Sequence, residues 1–294
     1  MSTLNLYLAT VLIWGSTWLA IKFQLGVVPP VVSVVWRFAL AASILLAYAF
    51  VRRLKLSFSA REHPWMALQG FLMFGVNYVC VYLSERYLAS GLVAVAFSLT
   101  VFCNIVGMRI FFGTSIELAK VFAAALGVLG VGLVFSPEVA RFSGAGEGAY
   151  GLLLIVVGTL AASLGNLVAM RNQYEGMPIV ALNGWAMLYG TLFVALYAAL
   201  GRETFTFDWT SPYVASLLYL AVFGSVLAFG AYLTLLGRIG ADRAGYAGVA
   251  TPIMALLLST MFEHLTWQAP MVLGVLLCVA GNVVMLGRRR RART

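Results

Sequence analysis

Apolar residues run through this chain in blocks of about 20, separated by short stretches of Pro, Gly and charge; as helix, a block of that length crosses a hydrocarbon core of ~30 Å. The pattern predicts an all-α integral membrane protein with ten spanning helices, at roughly 5–24, 31–51, 64–83, 90–112, 118–136, 149–170, 178–200, 212–236, 243–262 and 269–287. The linkers, such as 52–64, 136–148 and 201–212, are too short to fold alone. Function must sit in or between the helices.

The helices are written twice. Ala20, Gln24, Pro29, Val31, Trp36, Tyr48 and Ala49 reappear, in order and without a gap, as Ala169, Gln173, Pro178, Val180, Trp185, Tyr197 and Ala198, 149 residues on, and Lys22 is answered by Arg171. A looser echo, offset by 152, relates Leu83, Arg86 and Ala89 to Leu235, Arg238 and Ala241. Two halves follow, 1–143 and 144–294, each with five helices, in one membrane domain. An odd number of helices per half forces the second copy to enter from the opposite side. Inverted repeats are the architecture of alternating-access carriers, with substrate bound near the midplane between the halves.

Charge supplies the orientation. Of 19 Lys and Arg, fourteen fall on the face of the N-terminus and four (Lys22, Arg86, Arg141 and Arg202) on the other, with Arg37 inside helix 2. By the positive-inside rule both termini are cytoplasmic. The net charge of +9 is therefore a topology signal, not a nucleic-acid footprint, and the Arg288–Arg293 run reads as a topology anchor, with anionic-lipid binding a minor alternative.

Composition agrees: 62% of residues are hydrophobic and 10% charged, against roughly 25% charged in soluble chains. Cys80, Cys103 and Cys278 stand isolated in apolar segments, which argues against a disulfide framework or metal site. No phosphate-binding glycine loop, carboxylate pair or nucleophile–base arrangement is present, so neither enzyme nor cofactor is expected.

These features resemble the ten-helix drug/metabolite transporter superfamily of the EamA type, over nearly the whole chain. The resemblance is carried by Ile13-Trp14-Gly15-Ser16-Thr17, Ala20-Ile21-Lys22, Trp36-Arg37-Phe38, Tyr87-Leu88-Ala89-Ser90-Gly91, Gly240-Ala241-Asp242-Arg243-Ala244, Ala250-Thr251-Pro252 and Gly281. It implies a bacterial inner-membrane carrier, working as a monomer among lipids, that exports amino acids and related small metabolites. The family's small four-helix multidrug members carry a glutamate in helix 1; here that helix offers Trp14, Thr17 and Trp18. All ten acidic residues fall in loops or at predicted helix ends, so uniport or exchange without a proton-coupling carboxylate is expected.

The interior polar groups are aromatics, amides and hydroxyls, which suit neutral zwitterions. Tyr78 and Tyr82 share a face of helix 3 beside Asn77; Ser163 and Asn166 lie on a polar stripe of helix 6. Trp18, Ser98, Tyr232 and Tyr246 complete the candidate substrate site. Each has a packing alternative, because Ser, Thr and Asn also glue membrane helices together and Tyr and Trp also anchor at interfaces. Pro252 marks a hinge or a static kink in helix 9. Glu85 and Asp242, with their neighbours Arg86 and Arg243, are gate ion pairs or solvated loop charges. Trp36 and Trp185 set hairpin geometry, and small residues let helices 5 and 10 brace each half. Sugar phosphates or nucleotide sugars would instead need cations deep in the cavity, for which Arg37 is the one candidate; drug-like substrates of the superfamily are a further alternative. A structural or assembly protein would give no flux.

Overall fold

The computed structural model describes residues 2–113, 115, 118–140, 147–232 and 246–287, without the side chains of residues 120, 137–140, 246, 249 and 285–287. Among the described residues the chain is a bundle of ten helices. They are α1 (Thr3–Lys22), α2 (Pro30–Val51), α3 (His63–Ser84), α4 (Ser90–Phe112), α5 (Leu118–Ala140), α6 (Glu147–Tyr174), α7 (Ile179–Leu200), α8 (Ser211–Tyr232), α9 (Tyr246–Phe262) and α10 (Ala269–Gly287). Seven are long and apolar enough to cross a membrane, and α5, α9 and α10 contain shorter apolar stretches.

Local chemistry fixes several ends. The Ser2 side chain accepts from the Asn5 backbone N–H and caps α1. Pro29 and Pro30 separate α1 from α2, with Pro30 in the first turn, where its missing N–H costs nothing. The N-terminus of α4 is capped across the bundle: the Glu263 carboxylate, at the end of α9, accepts from the Ser90 backbone N–H at 3.1 Å.

Two helices are wound irregularly at matching points. Gly70–Val76 in α3 and Tyr219–Leu227 in α8 are π-helical. Their first residues are 149 apart, the spacing of the sequence echo. Widening the ladder from i−4 to i−5 frees groups for other bonds: the Ser225 hydroxyl donates to the Leu220 carbonyl at 3.0 Å.

α2 packs on α7, and α5 on α10, each pair joining the two halves. The latter corrects the expectation that α5 and α10 each brace their own half. A Cβ on Gly130 would lie 2.6 Å from the Gly274 carbonyl oxygen, and one on Gly274 2.5 Å from that of Gly130. Only glycine lets the backbones approach this closely, and such contact is what holds helices together in lipid.

Candidate functional site

A cavity of about 530 Å³ lies between the halves, within the size range of small-molecule sites. Its wall runs from Ile21, Arg37 and Val81 to Gln173, Ile179 and Asn183. The last three flank the α6–α7 connection, on the face where α1 begins, here the N-terminal face. The opposite end is shut.

The wall is aromatic with amide inserts. Trp14 of α1 meets Phe229 edge-on at 5.4 Å between ring centroids and Tyr232 at 5.2 Å. Its indole N–H donates to the Gly224 carbonyl at 3.3 Å. Trp18 packs on Phe97 at 5.3 Å. Asn166 and Asn183 contribute side-chain amides. A chain of donors leads to Asn183: Arg171 donates to Asn172 Oδ1, Asn172 Nδ2 to Gln69 Oε1, and Gln69 Nε2 to Asn183 Oδ1, all at 3.1–3.2 Å.

Broken backbone also faces the cavity. α4 is interrupted by a turn at Ser98–Leu99, and α9 by Pro252. Pro252 cannot donate to the carbonyl of Gly248, four residues back, and both residues line the cavity. Thr100, the counterpart of Pro252 by the 152-residue offset, lines it too. Irregular backbone inside a membrane is stable where it borders such a space.

Arg37 stands at the shut end of the cavity with only 2% of its surface exposed. Its Nε and Nη2 each donate to Ser225 Oγ at 3.4 Å, and its Nη1 to Tyr82 Oη at 3.5 Å. The guanidinium lies over the Tyr78 ring at 4.7 Å and the Phe38 ring at 5.3 Å. Among the described residues no carboxylate is within ion-pairing distance of it. A buried cation normally has its charge matched at close range. Arg37 instead has long, neutral hydrogen bonds and an open cavity beside it.

Beyond Arg37 an ionic cluster shuts the far face. Lys22 Nζ donates to the carbonyl oxygens of Glu85 and of Leu88 (2.7 Å), and pairs with Glu263 at 3.4 Å. Glu263 also accepts from the Ser90 hydroxyl and from the Ser259 hydroxyl at 2.6 Å. The cluster ties α1 and α4 of the first half to α9 of the second. Glu85, which caps α3, is fully buried, and neither carboxylate oxygen has a hydrogen-bond partner.

Of the candidates read from sequence, Asn77, Tyr78, Trp18, Ser98, Asn166, Tyr232 and Pro252 line the cavity. Tyr82 does not. It is on the Tyr78 face one turn further, beyond the shut end, where it is fully buried and its hydroxyl donates to Gln24 Oε1 at 2.7 Å. Ser163 is buried off the wall as well, because the upper part of its stripe packs on α3: a Cβ on Gly158 would lie 3.2 Å from the Asn77 carbonyl oxygen. Asn77 turns its own side-chain oxygen into that contact, without a partner, while its amide donates to the Met73 carbonyl at 3.1 Å.

The solvated alternative for Glu85 is excluded by its burial, and its neighbour Arg86 is exposed rather than paired with it. Glu85 does stand at a helix end, as read from the sequence, but that end is covered by other helices. Asp242 lies outside the described residues, and so does the Tyr246 side chain. Sequence reasoning missed Lys22, Glu263, Asn183 and Gln173. Lys22 and Glu263 are 241 positions apart, a distance no local pattern bridges.

A helical bundle with inverted halves and a central cavity shut at one end defines a membrane transporter, not an enzyme. The chain belongs to the EamA-like transporter family, whose profile matches twice, over residues 1–136 and 149–287. It is similar to the uncharacterized transporter YoaV of Bacillus subtilis, 23% identical over 288 residues covering 96% of this chain and 97% of that protein. The uncharacterized inner membrane transporter YedA of Escherichia coli K12 is 27% identical over 255 residues, covering 86% of this chain and 80% of that protein. Among the solved structures that share the fold, a crystal structure matches with a TM-score of 0.70 at 17% identity, covering 100% of this chain and 99% of the other.

Proposed function

We propose that the protein exports amino acids and related carboxylate-bearing metabolites by alternating access. The observation that carries this reading is Arg37, a buried guanidinium on the wall of a closed-ended cavity with no protein carboxylate paired to it. A substrate carboxylate fits that vacancy. Charge-assisted bonds to a guanidinium are about twice as strong as neutral ones, and the Ser225 and Tyr82 bonds it would displace are long. Trp14, Trp18, Phe97 and Tyr78 supply an apolar, polarisable wall for a side chain.

With both termini in the cytoplasm of a bacterium, this conformation faces inward, and the Lys22–Glu263 cluster is the outer gate. The halves, 1–143 and 144–294, rock about the cavity, with Pro252 as a hinge in α9. No described lining residue is acidic, so substrate and proton do not compete for one group in the cavity. The lining itself therefore favours uniport or exchange, in a monomer surrounded by lipid.

Sugar phosphates or other organic phosphates are the second reading, and Arg37 favours them too. A phosphate dianion calls for more than one cation, and Arg37 is the only cationic residue among the described lining. The test is radiotracer flux of leucine, methionine, threonine and tryptophan into liposomes containing the purified protein. Flux of at least one above empty liposomes is expected. No amino-acid flux, with flux of a phosphorylated metabolite, would move the assignment to the second reading.

A further inference from the structure

The shut end of the cavity holds four ionisable side chains that the transport reading uses only in part. Arg37 faces the cavity; Lys22 and Glu263 form the pair that ties the halves together; Glu85 is buried among them. Glu263 is well satisfied as an anion: it accepts from the Ser90 N–H, the Ser90 hydroxyl and the Ser259 hydroxyl, and pairs with Lys22. Glu85 is the opposite case. Its two oxygens are buried and accept nothing, so its anion is disfavoured first by burial and then by Glu263, and is held only by the fields of Lys22 and Arg37. Tyr82, buried and bonded to Gln24 and Arg37, is the remaining titratable group within electrostatic reach.

With both acids ionised, two cations face two anions and the cluster is neutral. A substrate carboxylate arriving at Arg37 adds a third anion to a space shielded from water. Arg37 then serves the substrate, and the balance around Glu85 turns negative. Charge in a low-dielectric site is matched or removed. The Glu263 oxygens are already engaged by Ser90, Ser259 and Lys22. Glu85 loses no hydrogen bond by taking a proton.

We propose that Glu85 is a proton-binding site, loaded when a substrate carboxylate binds Arg37. The proton comes from bulk water on the open side and forms an O–H bond on Glu85; no other bond changes. This rests on the assignment of Arg37 to the substrate carboxylate, and adds a second ligand at a second residue. By linkage, protonating Glu85 tightens carboxylate binding by the same factor as carboxylate binding favours protonation. Affinity for a carboxylate substrate therefore rises as pH falls through the range in which Glu85 titrates, while affinity for an analogue without a carboxylate does not.

The test is proton uptake from weakly buffered detergent solution by the full-length protein on adding L-leucine, with binding followed on the same sample by calorimetry. Leucinamide, which lacks the carboxylate, is the control. The expected result is uptake of a substantial fraction of one proton, up to about one, per leucine bound, none with leucinamide, and loss of the uptake in Glu85→Gln with leucine still bound. Binding without uptake in the wild-type protein overturns the proposal alone, and needs no variant to fold. Uptake that persists in Glu85→Gln overturns the assignment to this residue. Absence of leucine binding overturns the amino-acid reading, and this linkage with it.

Discussion

The indole of Trp36 donates to the Thr206 carbonyl and that of Trp185 to the Leu56 carbonyl, each at 3.1 Å. The donors are 149 residues apart and the acceptors 150, so one hydrogen bond is made twice, on opposite faces, each time from a helix of one half to a loop of the other. Trp36 stacks edge-on against Phe205 and Phe207, and Trp185 against His63. The inverted repeat thus survives as paired tertiary contacts, and its tryptophans clamp the halves together at their rims.

Replacing either tryptophan by phenylalanine keeps the ring and removes the donor. An intramolecular hydrogen bond is worth ~1 kcal/mol net, so Trp36→Phe and Trp185→Phe should each destabilise the protein by up to about that amount, the more exposed Trp36 bond by no more than the other. Thermal unfolding in detergent, followed by intrinsic fluorescence, measures both. A large loss at one site and none at the other would contradict equivalent clamps.

The α5–α10 contact should tolerate no side chain. Overpacking a tight contact costs typically 1–3 kcal/mol, and here the obstacle is backbone. Gly274→Val should lower the unfolding temperature more than the same change at Gly132, where an added Cβ meets nothing within 4 Å. Equal effects would argue against α5 and α10 being packed face to face.

The gate predicts a reversible block. Lys22→Cys with Glu263→Cys, in a background lacking Cys80, Cys103 and Cys278, should be joined by a short bis-methanethiosulfonate cross-linker, which spans the length of the two truncated side chains. Flux should stop and return on reduction. Glu263→Gln removes the pair and weakens the bonds that the carboxylate accepts from Ser90 and Ser259, so it should cost about 1–3 kcal/mol. A cross-linked protein that transports at the normal rate would show that this face does not open.

Pro252→Ala restores a donor to the α9 ladder. If α9 bends there during the cycle, the turnover rate should fall several-fold while the protein becomes no less stable. Unchanged rate and affinity would leave Pro252 a static kink.

Much of this was legible in the sequence because lipid leaves few options. Apolar length marks the helices, and the echo of Trp36 in Trp185 gives the symmetry its contacts display. Arg37 was legible as a cation inside an apolar run, but only as what a phosphate substrate would need and not as part of an amino-acid site. The remainder depends on depth and on long-range packing. Tyr78 and Tyr82 share a stripe, and only the position of the cavity's shut end separates a wall residue from a buried strut. Glu85 reads as a loop charge until the ends of α1, α4 and α9 close over it. The π-helical segments, which set Ser225 against Arg37, have no signature in residue spacing.

The most direct test of the central claim compares uptake of leucine and of leucinamide by liposomes containing the wild-type protein or Arg37→Gln. A hydrogen-bonded charge contributes ~1.5–3 kcal/mol, so the substitution should raise the leucine KM by about 10- to 100-fold and leave the weaker leucinamide flux almost unchanged. A leucine KM that does not move in a folded Arg37→Gln protein would contradict the account.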